Sequence, residues 1–234
     1  MAHDARARGA DWVIPLDVDE FWHPWEPLQG IVGEAAAKGL GALEVRRIEF
    51  IQARDQVETT MAGSRRATWR VERPLAGDAA MAEFMAGERS MFETEPQPKW
   101  IVRTTPDLRI AMGGHSAENT AGPTEVCLRI SIFHLAMRSR KRAQDRVEHA
   151  VRVDLVDKRT NVSVQNRYWK MMAERGDLDG AWRAHSSEDG ALDVFGRRVE
   201  LIEDNTMADL LEPYTRSRLR QWVREKRRPR IGPV

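Results

Sequence analysis

The apolar positions of the chain fall into short blocks. Trp12, Val13, Ile14 and Leu16 form one, followed by Asp17-Val18-Asp19-Glu20 and then Phe21-Trp22. A run this short, with Pro24 and Pro27 close behind, predicts a buried strand. Pro15 cannot donate to a ladder and marks a bulge or an edge. Residues 2 to 9 predict the last turns of a helix stopped by Gly9, and residues 31 to 38 a short helix closed by Gly39 and Gly41. Residues 42 to 51 predict a strand whose alternation breaks at Arg46-Arg47. Residues 99 to 103 and 108 to 112 predict two more strands. Residues 128 to 135 predict another, with Leu128, Ile130, Ile132 and His134 on one face.

Residues 55 to 95 are polar, rich in Gly, Ala and Met, and poor in β-branched residues. They predict a long, partly helical excursion, either a binding loop or a surface insertion. From Ser139 to about Lys158 the spacing of Ala143, Val147, Ala150 and Val151 predicts an amphipathic helix. Residues 166 to 174 predict a second, stopped by Gly176. Thr206 with Asp209 is a weak capping-box match. Beyond Glu212, eight basic residues face one acid. That pattern suits a solvated terminal helix, or one that meets an anionic membrane surface, nucleic acid or a partner.

Composition narrows the class. The 234 residues suffice for one large domain or two small ones. With 41% apolar and 31% charged residues and a formal charge of +1, no global field points to nucleic acid. Cys127 is the single cysteine, so no internal disulfide forms, which fits a reducing, cytoplasmic setting. No apolar run reaches the ~18 residues of a membrane span.

The candidate chemistry starts at the acidic segment. On an extended strand Asp17 and Asp19 project from one face, and two crowded carboxylates repel unless a cation or shared proton relieves them. Hard divalent cations take oxygen ligands, and magnesium is held by one or two carboxylates plus substrate phosphates. The pair therefore suits a metal-bound diphosphate, against the plainer reading of a solvated acidic turn. His134 ends an apolar row; it is a satisfied core histidine or a third metal ligand. Gly114 allows close approach of backbone to a ligand, and His115 supplies a hydrogen bond or a base, or is a surface turn residue. Lys99 and Arg103 suit diphosphate charge, or are solvated charges at a strand end.

Several of these stretches, in the same order, resemble one family. GADWVIPLDVDEF, then Pro98-Lys99-x-Ile101-x-Arg103, then Gly114-His115, then His134-Leu-Ala-Met-Arg138-Ser139 are similar to segments of A-type nucleotide-sugar glycosyltransferases, in particular the bacterial family-2-like group. Residues 176 to 183 resemble a turn of the same group, with Trp182 as a packing anchor. The resemblance implies an α/β fold: a partial A-type mixed sheet flanked by helices over residues 1 to 160, then a helical C-terminal region with a basic tail over 161 to 234. It implies Asp17, Asp19 and His134 as ligands of a manganese or magnesium ion. Glu20 and His115 become candidate catalytic residues, and Lys99, Arg103 and Arg138 contacts for the nucleotide-sugar donor. The acceptor, a glycan, lipid or small molecule, is left open. The family places on the order of a hundred residues of donor-binding strands and helices ahead of the metal-binding strand. The expectation is thus the second half of such a domain, acting as a transferase or kept as a non-catalytic interaction module.

Overall fold

The computed structural model describes residues 2–57, 61–156 and 164–214. It is mixed α/β, and it divides into two units. The first takes the described residues of Met1–Glu49 and Glu95–Ala136, the second those of Phe50–Thr94 and Met137–Val234. The division expected near residue 160 and the basic tail from residue 215 lie outside the described residues. No described helix is long and apolar enough to cross a membrane.

The first unit holds two small sheets and a helix around one apolar cluster. One sheet orders its strands Trp12–Val13, Lys99–Arg103, Ala42–Val45, Thr124–Val126, with the last pair parallel. The other orders Glu20–Pro24, Ile130–His134, Arg47–Glu49, again mixing antiparallel and parallel pairs. Leu43, Val45 and Ile101 from the first sheet meet Ile130 and Ile132 from the second, with Ile31 and Ala35 from the helix Leu28–Ala37. The i, i+4 spacing of those two helix residues puts both on the covered face.

The break in alternation at Arg46-Arg47 has a structural cause. The chain leaves one sheet after Val45 and enters the other at Arg47, so the single expected strand is two. The expected strand through Leu16 is likewise short. Pairing stops at Val13, and Ile14 to Asp17 form an irregular segment. Asp17 to Glu20 then make a turn, closed by the Glu20 N–H donating to the Asp17 carbonyl at 3.2 Å. Val18 at its tip is 87% exposed. Asp17 and Asp19 therefore flank a turn and do not share a strand face. Leu128, expected in the buried row, lies outside its strand and is exposed.

In the second unit the helices Asp78–Ala86, Val164–Glu174 and Leu178–Ala184 supply large buried side chains. The helix Arg140–Val156 begins at Ser139, whose hydroxyl accepts from the Arg142 N–H at 3.3 Å. Trp182 is buried and its indole donates to the Arg54 carbonyl at 3.2 Å. The segment around it is a seven-residue helix capped by Asp177, where a turn was expected. The C-terminal region is also less helical than expected. Ala191–Val194 and Arg197–Glu200 pair as a hairpin, and Ile202–Glu203 pairs with Trp69–Arg70, before helix resumes over residues 206–214. Asp204, and not Thr206, caps that helix, accepting from the Thr206 N–H at 3.0 Å.

Candidate functional site

Strand register builds a charged cluster at the end of the first unit's apolar core. On Ile130–His134 the residues Ile130, Ile132 and His134 share a face by the two-residue period. Register sets Trp22 and Arg47 beside Ile132, and Glu20 and Glu49 beside His134. The core face thus runs from Ile132 straight into a row Glu20, His134, Glu49. The neighbouring sheet does the same: Ile101 is in the core, and Lys99, two residues earlier on the same face, is fully buried.

The side chains connect as an alternating series. Lys99 Nζ lies 2.5 Å from Asp17 Oδ2 and 3.1 Å from Glu20 Oε1. Arg47 lies 3.6 Å from Glu20 Oε1 and 3.2 Å from Glu49 Oε1. Glu49 Oε2 accepts from His134 Nδ1 at 2.7 Å. His134 Nε2 is 3.7 Å from Asp19 Oδ1. The Asp19 carbonyl accepts from the Leu135 N–H at 3.1 Å, which fastens the turn to the strand end beside the imidazole. Glu20 is further held by the Trp22 indole N–H at 3.2 Å.

The electrostatics follow from burial and from the pairings. Burial alone lowers the affinity of His134 for a proton, but the Glu49 and Asp19 carboxylates reverse this and push its pKa up to about 9. Burial raises Glu49, yet the imidazolium and Arg47 hold it below the usual carboxylate range. Four carboxylates (Asp17, Asp19, Glu20, Glu49) face two permanent cations (Arg47, Lys99), an excess of two negative charges. The His134 proton cancels one of them.

His115 closes the 3-10 turn Met112–Gly114, and Gly114 lies against the ring of Pro15. Its Nδ1–H donates to the Pro98 carbonyl at 2.8 Å, because that carbonyl can only accept. Nε2 therefore keeps its lone pair. Burial lowers its pKa, outweighing the Pro98 hydrogen bond, and Arg47 and Lys99 lower it further.

The structure thus brings together Asp17, Asp19, Glu20, Lys99 and His134, with His115 within reach of their charges. Asp17 is drawn to Lys99 and not toward Asp19, and Lys99 is occupied by two carboxylates. Among the described residues no group of three or more His, Cys, Asp or Glu is arranged to hold a metal ion. Arg103 is half-buried on the strand of Lys99, opposite Trp12. Arg138 belongs to the second unit. Sequence reading missed Arg47 and Glu49. Their signal was present: two charged residues inside an otherwise apolar strand pattern, where burial demands a partner.

Asp19 Oδ1 and His134 Nε2 face each other as an ion pair when the imidazole is protonated. Metal bonds of about 2.0 to 2.2 Å put two ligands of one ion roughly 3.0 to 3.7 Å apart, and the Asp19–His134 separation is 3.7 Å. Replacing the imidazole proton with a doubly charged ion would also balance the cluster. No family model, curated protein or solved structure matches this chain.

Proposed function

We propose that the chain is a metal-dependent glycosyltransferase of the A-type kind, using a nucleotide-sugar donor. One observation carries this reading: the His134 imidazole is held by Glu49 through Nδ1 while Nε2 faces Asp19 Oδ1. Metal-ligating histidines usually donate their other ring N–H to a carboxylate, as His134 Nδ1 does to Glu49. The order of sequence segments that resemble the family supports it independently.

In this reading Asp19 and a deprotonated His134 are the residues that would hold a manganese or magnesium ion. Bound there, such an ion would supply charge neutralisation for a leaving nucleoside diphosphate. The acceptor hydroxyl attacks the anomeric carbon as the sugar–phosphate bond breaks, and His115 Nε2 takes the hydroxyl proton. His115 suits this role because it is neutral near pH 7 and its lone pair is left over by the Pro98 hydrogen bond. Glu20, buried and paired with Lys99 and Arg47, holds the cluster together and does not act as the base. Lys99 restrains Asp17 in the same way.

A second reading rests on the same series of charges. With His134 protonated, the groups from Asp19 round to Asp17 alternate in sign, as a non-catalytic relative would keep them. Calorimetry of the full chain separates the two. Binding of Mn²⁺, followed by a nucleoside diphosphate, supports the transferase. Asp19→Ala then weakens Mn²⁺ binding by at least about a hundredfold, since losing even an outer partner of a ligand costs up to that much. No heat with Mn²⁺ or with Mn²⁺ plus diphosphate leaves the non-catalytic reading standing.

A further inference from the structure

We propose that the outer edge of the strand Thr124–Val126 pairs, antiparallel, with the same strand of a second copy of this chain, on a twofold axis at Glu125. Such pairing needs neither cation nor sugar donor and stands apart from the transfer reading.

Thr124–Val126 ends the four-stranded sheet of the first unit, and its inner side is occupied. The Pro123 carbonyl accepts from the Gly41 N–H at 2.9 Å, and the Cys127 N–H donates to the Glu44 carbonyl at 2.8 Å. Backbone groups alternate along a strand, so the N–H and C=O of Thr124 and Val126 point the other way. Among the described residues no strand lies on that side. All three residues of the strand are exposed, and Leu128 just beyond them is 76% exposed.

An open edge is a template for another chain, and proteins ordinarily blunt it with proline, a bulge or a charge. The strand Glu20–Pro24, at the edge of the other sheet, is blunted in this way. The Trp25 N–H donates to the Arg129 carbonyl and the Asp19 carbonyl accepts from Leu135, so alternation turns the groups of Glu20, Trp22 and Pro24 outward. Pro24 has no N–H, and that of Glu20 is taken by the Asp17 carbonyl. Thr124 and Val126 both keep their donors. The charge between them, Glu125, is matched by Lys38 at 3.2 Å.

This edge is complementary to itself. With the axis at Glu125, Thr124 of each copy stands opposite Val126 of the other. Both are β-branched and both have outward backbone groups, so each pair exchanges both of its hydrogen bonds. Glu125 then faces its own copy, which is repulsive for a bare carboxylate. Here each Glu125 brings Lys38 with it, and both side chains are at least half exposed, so the axis gathers carboxylates and ammonium groups in equal number. A contact this small, flanked by Leu128, makes a weak dimer.

Sedimentation velocity of the full chain across the micromolar range tests this, with Val126→Pro, Lys38→Glu and the double variant Lys38→Glu/Glu125→Lys beside the wild type. The wild type shifts toward dimer as its concentration rises. Val126→Pro removes an outward donor from each copy and none from the inner ladder, and weakens dimerisation about tenfold or more. Lys38→Glu leaves only carboxylates at the axis and abolishes the dimer. Adding Glu125→Lys restores neutrality and the dimer with it. A chain that is monomeric at every concentration overturns the proposal and leaves the edge to an extended segment of another protein. A dimer that Val126→Pro and Lys38→Glu leave unchanged also overturns it, because that dimer forms through another surface. If Val126→Pro does not fold, the charge reversal decides, since Lys38 is an exposed residue at the end of its helix. Loss followed by rescue supports the proposal, and loss without rescue overturns the axis at Glu125.

Discussion

His134 in the first unit and His185 in the second are both buried, 6% and 0% exposed, yet their rings meet opposite surroundings. Around His134 stand Glu49 and Asp19, with Arg47 behind. Around His185 stand Phe84, Phe92, Tyr168 and Trp169, with ring centroids 5.2 to 6.0 Å away. Its polar needs are met by backbone alone. Nδ1–H donates to the Ala181 carbonyl at 2.8 Å, and Nε2 accepts from the Met91 N–H at 3.1 Å. With both nitrogens spent, burial outweighs the Ala181 hydrogen bond and the charge of Glu93 and drives its pKa down to about 4. The comparison teaches how to tell two buried histidines apart. A histidine whose nitrogens are both closed by main chain is a core residue. One whose second nitrogen is turned toward a carboxylate at 3.7 Å keeps its proton in an ion pair.

The sharpest way to break the comparison is to remove a charge from the first unit. In Lys99→Met, Glu20 keeps the Trp22 indole and the more distant Arg47 contact, and Asp17 loses its cation. The Lys99 side chain is 1% exposed and that of Glu20 is not exposed at all. Removing one partner of a buried pair costs about 3 to 5 kcal/mol. Equilibrium urea unfolding of the full chain measures it. A loss below about 1 kcal/mol would mean that the cluster is wetter and looser than the pairings require.

The second probe is acid, and it reads the aromatic side. Folded His185 stays neutral down to about pH 4, whereas in the unfolded chain a histidine takes up its proton near pH 6.5. Below pH 6.5 the unfolded state therefore binds more protons, and stability falls as pH falls. The contribution of a neutral His185 is complete above pH 6.5 and shrinks by about 3 kcal/mol by pH 4. Other groups titrate in this window, so the readout is a difference. His185→Gln is less stable than wild type at pH 7, and the gap narrows toward pH 4.5. Parallel stability profiles would show that the ring is more accessible to protons than its aromatic surroundings imply.

Which parts of this were legible beforehand depends on range. The alternation through Ile130, Ile132 and His134 placed the histidine at the end of a buried row, because period two is a local property. The helix after Pro27 and the strand Lys99–Arg103 were legible for the same reason. The partners of His134 were not. Glu49 meets it through a parallel pairing across 85 residues, and nothing in either segment encodes that register. Asp17 and Asp19 were placed on one strand face because the apolar run before them predicts extension. Pro15 stopped the ladder, and a turn carried the two carboxylates to different cations. The hairpin Ala191–Val194 with Arg197–Glu200 was missed because its turn uses Phe195 and Gly196, both at positive φ, and phenylalanine is not a residue that announces such a turn.

The finest probe sets one glycine from each unit against the other. Gly114 beside the charged cluster and Gly87 beside the aromatic one have φ of +70° and +84°. Alanine in that left-handed region costs roughly 1 to 2 kcal/mol at either place. What differs is the neighbour. A Cβ at residue 87 would come 3.1 Å from the Met172 methyl, the tip of a flexible chain that can swing away. A Cβ at residue 114 would come 2.5 Å and 2.8 Å from Cγ and Cβ of the Pro15 ring, which cannot. Gly87→Ala should therefore cost only the backbone strain, about 1 kcal/mol in thermal or urea unfolding. Gly114→Ala should cost more and also push the His115 turn away from Pro15, shifting the His115 ring resonances that Gly87→Ala leaves in place. Equal losses at the two positions would mean that the segment from Ile14 to Asp17 yields as easily as a methionine, and a yielding segment could not hold the acidic turn beside His134.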